Sequence, residues 1–91
     1  MSEIASNLFD EAFGYHRNGN FAQAIRLYQK CLEANAKNAD AWHLLGLALY
    51  QSGQPENGAQ NIRRAIELAP HRDLFHTNLA TVLIALQQHQ E

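Results

Sequence analysis

The fold of this chain is decided by the stretch from Trp42 to Pro70, which reads WHLLGLALYQSGQPENGAQNIRRAIELAP. In its first half, Trp42, Leu45 and Leu49 recur at the i, i+3, i+7 spacing of an apolar helix face that packs on a core. Pro70 disfavours helical geometry in the residue before it, so a second helix is expected to end at residue 68 or 69. The stretch therefore predicts two helices joined by a turn.

Glycines and a proline mark the turn and the contact between these two helices. Gly53 suits the end of the first helix, and Pro55 suits the first turn of the second. Gly46 on the first helix and Gly58 on the second have no side chain, so the two backbones can approach closely where they meet. Such a hairpin leaves apolar faces uncovered and needs neighbouring helices to bury them.

This segment resembles the tetratricopeptide repeat, whose pattern of about 34 residues runs W-x2-L-G-x2-Y, then A-x3-F, then a closing P. The matching positions are Trp42, Leu45, Gly46, Leu49, Gly58, Ile62, Ala65 and Pro70. The sequence departs from the pattern at three of them, where Leu49 replaces tyrosine, Gly58 replaces alanine and Ile62 replaces phenylalanine. All three replacements keep the size and polarity that packing requires.

Copies of the repeat lie on both sides of this segment. In the copy before it, the motif positions are occupied by Leu8, Glu11, Ala12, Tyr15, Ala24, Tyr28, Cys31 and Ala36. The turn glycines Gly19 and Gly53 are in register, since 53 minus 19 is 34. The copy after it supplies only a first helix, with His76, Leu79, Ala80 and Leu83 on the motif positions.

From this register we predict an all-α fold, a tetratricopeptide-type solenoid of antiparallel helix pairs with five helices. One domain covers residues 1–91, with repeat 1 at 5–38, repeat 2 at 39–72 and half of a third repeat at 73–91. The helices are predicted at 3–18, 21–35, 39 to the turn at 51–55, 55 to 68 or 69, and 72–86. Asn38 is expected to cap the third helix.

Composition argues against several classes of protein. An apolar fraction of 46% is typical of a packed chain, and a net charge of −2 offers no electrostatic attraction to a nucleic-acid backbone. The start, Met-Ser-Glu-Ile, does not read as a signal peptide, and no apolar run approaches membrane-spanning length. A single cysteine forms no internal disulfide. We expect a cytoplasmic protein that binds neither nucleic acid nor membrane.

No residue pattern for catalysis or metal binding emerges. The five histidines include no pair at the i, i+4 spacing that places two ligands on one helix face, so they are interpreted as surface or groove residues. Cys31 takes the small-residue position that Ala65 takes in the next copy, which predicts a buried, inert thiol. The adjacent acids Asp10 and Glu11 point about 100° apart on a helix. We predict no enzyme activity, no cofactor and no metal.

The resemblance implies a binding groove, because in tetratricopeptide arrays the first helix of each repeat lines a concave surface that takes extended or helical segments of proteins. Carried onto this sequence, the lining is Ser6, Phe9, Asp10, Phe13, His16, Arg17, Asp40, His43, Leu44, Leu47, Tyr50, Gln51, Leu74, Thr77, Asn78, Thr81 and Ile84. Partner binding is predicted for Phe9, Phe13, Arg17, His43, Leu47, Tyr50, Thr77, Asn78 and Thr81. The resemblance therefore implies a scaffold or adaptor that binds a protein or peptide.

Apolar and aromatic residues are unusual on a face that meets only water, and Phe9, Phe13, Leu47 and Tyr50 are the strongest indication of binding. The alternative is that Phe9 and Phe13, four residues apart, pack on each other or on flanking sequence. Chaperone adaptors of this family clamp a terminal carboxylate with lysine, asparagine and arginine. The matching places here hold Phe9, Phe13, Leu44, Leu74 and Asn78, so a clamp is not expected.

The last helix has hardly any polar face. Its apolar residues are Phe75, Leu79, Val82, Leu83 and Leu86, and some of them are expected to pack on a partner helix that this sequence does not supply. Natural repeat arrays usually finish with a polar outer face. This gives two alternatives to a plain adaptor: a leading segment of a larger enzyme such as a glycosyltransferase, presenting substrates, or a module that self-associates, as in a homodimer, through this face.

Overall fold

The computed structural model describes residues 2–90 of the chain and the side chains of residues 7–88. The described residues form five α-helices, which are α1 (Ser2–Arg17), α2 (Phe21–Ala34), α3 (Ala39–Gln51), α4 (Pro55–Leu68) and α5 (Asp73–Gln90). The predicted all-α fold is confirmed, and the first four helices begin and end within about one residue of the predicted bounds. The fifth helix runs past the predicted end at residue 86, because glutamines, which are good helix formers, follow it.

Left-handed glycines close both helical hairpins, as predicted. Gly19 has a φ of 82° and Gly53 a φ of 96°, conformations that glycine adopts without the steric cost of a side chain. In the second turn, Gln54 N donates to Leu49 O at 2.8 Å, and the first turn contains the equivalent hydrogen bond. These bonds satisfy carbonyl groups that the helix ends would otherwise leave without a partner.

The ends of the remaining helices also follow from local chemistry. Asn38 caps α3, since its side-chain oxygen accepts a hydrogen bond from Ala41 N at 3.0 Å. Pro55 is the first residue of α4. An amide hydrogen at this position would have no partner within the helix, so proline, which lacks one, loses no hydrogen bond there. At the other end of α4, Ala69 has an extended φ of −143° before Pro70. The predictions for Asn38, Pro55 and Pro70 are thus confirmed.

The helices form two layers. Each helix packs against the next one along the chain, and α1, α3 and α5 also touch one another in that order. These three helices therefore form an inner layer, with α2 and α4 on its other side. The Cα positions span 45 × 28 × 17 Å, and the smallest dimension is that of two packed helix layers.

The second hairpin is held together by contact between two glycines. A Cβ atom on Gly46 would lie 2.7 Å from the carbonyl oxygen of Gly58, and a Cβ on Gly58 would lie 2.6 Å from the carbonyl oxygen of Gly46. The predicted close approach of the two backbones is confirmed. The first hairpin has the buried alanines Ala12 and Ala24 at these positions, so its helices cannot come as close.

The core consists of two clusters on either side of α3. The first joins α1, α2 and α3, and its largest fully buried side chain is Tyr28. Cys31 is fully buried in the same cluster, as predicted. The second cluster joins α3, α4 and α5 around Ile62 and Val82. Within the described residues, no helix combines the length and the apolar character that crossing a bilayer requires.

The apolar face assigned to the last helix divides into two parts. Phe75 and Val82 are fully buried inside this chain because they face α3 and α4, so they cannot belong to an exposed self-association face, and the expectation for these two residues is corrected. Leu79 and Leu86 are half-buried, and Leu83 is 37% exposed. The surface of Leu79, Leu83 and Leu86 is called the open face of α5 below.

Candidate functional site

The inner layer carries three parallel stripes of side chains, one on each helix, at the i, i+4, i+7 spacing of a single helix face. The stripes are Phe9, Phe13 and His16 on α1, His43, Leu47 and Tyr50 on α3, and Thr77, Thr81 and Ile84 on α5. The surface formed by these three stripes is called the inner groove below. Two hydrogen bonds of equal sequence separation join the inner helices beside these stripes: His16 to Gln51 and His43 to Asn78, each 35 residues apart.

The stripe on α3 forms the floor of the groove, because α1 and α5 lie on either side of it. Leu47 and Tyr50 are half-buried and pack against the second core cluster. His43 is only 3% exposed, since its ring stacks on that of Phe75 with 4.5 Å between the centroids. The interpretation of His43 as a surface or groove histidine is corrected accordingly: it lies beneath the groove and supports it.

The stripe on α1 forms one wall. Phe13 is 41% exposed, and the guanidinium carbon of Arg17 lies 5.5 Å from the centre of its ring. Phe9 is half-buried and its ring lies 5.9 Å from that of Tyr28. The two phenylalanines thus differ, since Phe9 is drawn into the first core cluster and Phe13 faces solvent. The side chain of Ser6 lies outside the described residues.

The stripe on α5 forms the other wall, and it is the more exposed of the two. Thr77 and Thr81 face solvent, and Thr81 Oγ1 donates to the carbonyl oxygen of Thr77 at 3.2 Å. Leu74 and Ile84, at the two ends of this wall, are each 56% exposed. Asn78 is half-buried because it turns toward α3.

The contact between α3 and α5 is a polar and aromatic junction. Asn78 Nδ2 lies 2.7 Å from His43 Nε2. An amide nitrogen only donates, so Nε2 accepts and the imidazole is neutral with its proton on Nδ1. Burial lowers the pKa of His43, which keeps it neutral; the carboxylate of Asp40 opposes this shift, and the cation of Arg72 adds to it.

Arg72 braces the same junction from its solvent side. Its guanidinium forms an ion pair with Asp40 at 2.8 Å, with both side chains about half exposed. The guanidinium carbon also lies 4.5 Å from the centre of the Phe75 ring. Such exposed pairs contribute at most about 1 kcal/mol, and the same ion pair keeps Arg72 beside the ring.

The contact between α1 and α3 is organised around His16. Gln51 Oε1 can only accept, so His16 Nε2 donates to it at 2.6 Å. The Tyr28 hydroxyl then donates to His16 Nδ1 at 3.0 Å. The His16 ring also stands edge-on to Phe21, with 5.8 Å between the centroids. The His16 side chain therefore links α1, α2 and α3 near the carboxyl ends of α1 and α3.

The titratable groups of the core are held in their neutral forms. Burial raises the pKa of the Cys31 thiol, which disfavours the nucleophilic thiolate. Burial also raises the pKa of the Tyr28 hydroxyl, and the neighbouring Cys31 adds to this shift. Among the described side chains, no group of three His, Cys, Asp or Glu residues is placed to hold a metal ion.

The sequence prediction missed what connects the inner helices. Gln51 was expected as groove lining and Asn78 as a partner-binding residue, yet each one bonds a histidine on the preceding inner helix. The separation of 35 residues is one more than the repeat length, so polar pairs at this offset are a signal that the sequence already contained. Arg72 carried no comparable signal, because its position depends on where α5 begins.

Comparison with known proteins agrees with the repeat architecture. The family model described as "Tetratricopeptide repeat" matches residues 9–73 and, a second time, residues 43–91. The chain is also similar to a protein of Arabidopsis thaliana described as "Protein CTR9 homolog", with 35% identity over 85 residues. That similarity covers 91% of this chain but only 8% of the length of the relative.

Proposed function

The chain belongs to the tetratricopeptide repeat family, and from this premise we propose that its inner groove binds a segment of another protein. Repeats of this family are in general protein-interaction modules. The more specific proposal names the surface, which is the inner groove with Phe13, Arg17, Tyr50, Thr77 and Thr81 as contact residues. Leu47 lies in the floor, while Phe9, His43 and Asn78 hold the walls in place.

The observation that carries this proposal is the difference in exposure between the side chains of the floor and those of the walls. Leu47 and Tyr50 on the floor are half-buried, whereas Phe13 on one wall and Ile84 on the other are exposed and keep about half of their surfaces in water. Exposed apolar side chains on both walls offer a ligand contact from two sides. Exposed apolar surface of this kind often marks a contact site on a protein.

The groove also offers polar groups to a ligand backbone. The exposed hydroxyls of Thr77 and Thr81 lie along one wall, and the cation of Arg17 covers the ring of Phe13 on the other. Mixed surfaces of this type suit a peptide or a helix that inserts apolar side chains and satisfies its polar groups at the rim. The predicted absence of a carboxylate clamp stays a prediction.

The expected contribution of Phe13 can be derived from its exposure. A phenylalanine buries about 200 Å² when fully enclosed, so the exposed 41% corresponds to about 80 Å². At about 25 cal/mol per Å², covering this surface contributes about 2 kcal/mol. Replacing Phe13 by serine should therefore weaken binding by roughly 10- to 30-fold.

The test uses peptides selected from a displayed random library on the immobilised chain. The affinity of the tightest peptides is measured for the wild type, for Phe13→Ser and for the control Leu83→Ser, with thermal melting to verify folding. Leu83 is a matched control, since it is 37% exposed and lies on the open face of α5 outside the groove. Loss of affinity in Phe13→Ser alone supports the proposal, and equal affinity in all three proteins contradicts it.

A second candidate function is self-association through the open face of α5. Leu83 corresponds to Leu49 one repeat earlier, since 83 minus 49 is 34, and Leu49 is buried at 7% exposure while Leu83 is 37% exposed. A copy of the chain that covered Leu83 would restore the packing of the earlier repeat. Light scattering over a concentration series should then show a rising mass for the wild type and a constant monomer mass for Leu83→Glu. A constant mass for both proteins excludes this candidate.

A further inference from the structure

The chain contains the dipeptide Asn-Gly twice, in two different structural settings. Asn18-Gly19 lies in the turn after α1, and Asn57-Gly58 lies inside α4. Asparagine is a thermolabile residue. It is most labile before glycine, because the following backbone nitrogen can reach the asparagine side-chain carbonyl without obstruction from a Cβ atom.

The first of the two pairs is open to rearrangement. Asn18 and Gly19 are both exposed, and the Asn18 side chain makes no hydrogen bond with any described residue. Gly19 N donates to His16 O at 3.1 Å, in a helix-terminal turn that water reaches. Bonds at frayed helix ends open with little free energy, so the Gly19 nitrogen is available for reaction.

The second Asn-Gly pair is held by hydrogen bonds within α4 and by packing against α3. Gly58 N donates to Gln54 O at 2.9 Å within α4, and Asn57 O accepts a hydrogen bond from Asn61 Nδ2 at 2.7 Å. Gly58 is also buried against Gly46 of α3, where even a methyl group would lie 2.6 Å from a carbonyl oxygen. Rotating the peptide between residues 57 and 58 requires α4 to open and to separate from α3.

We propose that Asn18 is a site of spontaneous deamidation selected by the structure, and that Asn57 is protected from the same reaction. The Gly19 backbone nitrogen attacks Cγ of Asn18, a C–N bond forms, and the side-chain amide leaves as ammonia, which carries the proton from Gly19 N. Water then adds to either carbonyl of the resulting five-membered succinimide. Ring opening gives aspartate or isoaspartate, with one water consumed and one ammonia released overall.

The reaction product changes the carboxyl end of α1, where His16 joins α1 to α2 and α3. A carboxylate at residue 18 places negative charge at the negative end of the helix dipole, directly after Arg17. The isoaspartate form also inserts a carbon atom into the turn that closes with Asn20 N donating to Tyr15 O at 2.9 Å. That turn positions His16, which bonds Gln51 of α3. The reaction therefore acts on the junction between two helices of the groove.

The test follows both sites in one chain. The protein is incubated warm at mildly alkaline pH, folded or in denaturant, and digested for mass spectrometry, with enzymatic methylation to detect isoaspartate. In the folded protein, Asn18 should convert at least about tenfold faster than Asn57, because Asn57 reacts only after local unfolding. In denaturant, the two sites should convert at similar rates. The variant Asn18→Gln should lose the product at residue 18 and leave Asn57 unchanged.

Two results would overturn the proposal. One is conversion of Asn57 as fast as Asn18 in the folded protein, which would mean that α4 gives no protection. The other is an Asn18 that converts in denaturant but stays intact in the folded chain, which would mean that the turn holds the Gly19 nitrogen out of reach.

Discussion

The contact between Gly46 and Gly58 can be tested by adding one methyl group. In Gly46→Ala, the new Cβ would lie 2.6 Å from Cγ1 of Ile62 and 2.7 Å from the carbonyl oxygen of Gly58. The isoleucine side chain can adjust, but the carbonyl oxygen belongs to the backbone of α4 and cannot rotate away. The substitution therefore forces α3 and α4 apart.

The magnitude follows from two opposing effects. Overpacking a well-packed contact costs about 1–3 kcal/mol, and the backbone contact places this case toward the upper end. Alanine has a helix propensity about 1 kcal/mol better than that of glycine, which offsets part of the cost. We expect a net loss of about 1–2 kcal/mol in the free energy of unfolding. In a domain of this size, each kcal/mol lowers the melting temperature by about 4–8 °C.

Gly14→Ala is the matched control. Gly14 also lies inside a helix, but a Cβ there would meet no described atom within 4 Å. Only the gain in helix propensity remains, so this variant should be more stable than the wild type by about 0.5–1 kcal/mol. Both variants are compared with the wild type by urea unfolding and thermal melting. If Gly46→Ala is as stable as Gly14→Ala, the two backbones relax without cost and the reasoning about their contact fails.

Three further predictions follow from the described contacts. Asn38→Ala should lower the free energy of unfolding, measured in urea, by about 1 kcal/mol, because it removes the cap of α3. Asn20→Ala, at a helix start without a side-chain cap bond, should lower it by less than about 0.5 kcal/mol. Equal losses would contradict the cap assignment. Burial lowers the pKa of His43 in the folded state, so as the pH drops the imidazole of the unfolded chain binds a proton before that of the folded chain does. Stability should therefore fall as the pH drops below about 6.5 and level off below the folded-state pKa. A His43→Gln variant should lack this component, and a pH-independent stability difference between the two proteins would refute it. Cys31 should react with a thiol reagent only as fast as the chain unfolds, and a rapid reaction of the folded protein would show that its burial is incomplete.

The parts of the fold that the sequence predicted depend on residues close together in the chain. Gly19 and Gly53 fix the turns because only a left-handed residue fits there. Asn38 caps α3 through a bond that spans three residues. The glycines on α3 and α4 could be paired because the repeat pattern fixes which positions of a hairpin meet.

The parts that the sequence did not predict depend on the angle between repeats. The burial of His43 follows from the placement of Phe75 over it, and both residues lie on helices whose mutual orientation no local pattern specifies. The same orientation turns Phe75 and Val82 inward, although the composition of α5 gave no reason to separate them from Leu83. Helix faces can be read from sequence periodicity, but which face a neighbouring repeat covers is a tertiary property.

The central claim is that the inner groove is the binding surface, and a nuclear magnetic resonance titration tests it most directly. The tightest peptide from the library selection is added to the isotope-labelled chain, and the change in each backbone amide signal is followed. We expect the largest changes on the inner faces of α1, α3 and α5, around Phe13, Tyr50 and Thr81. Largest changes on α2 and α4, or along Leu79, Leu83 and Leu86 of the open face, would contradict the claim.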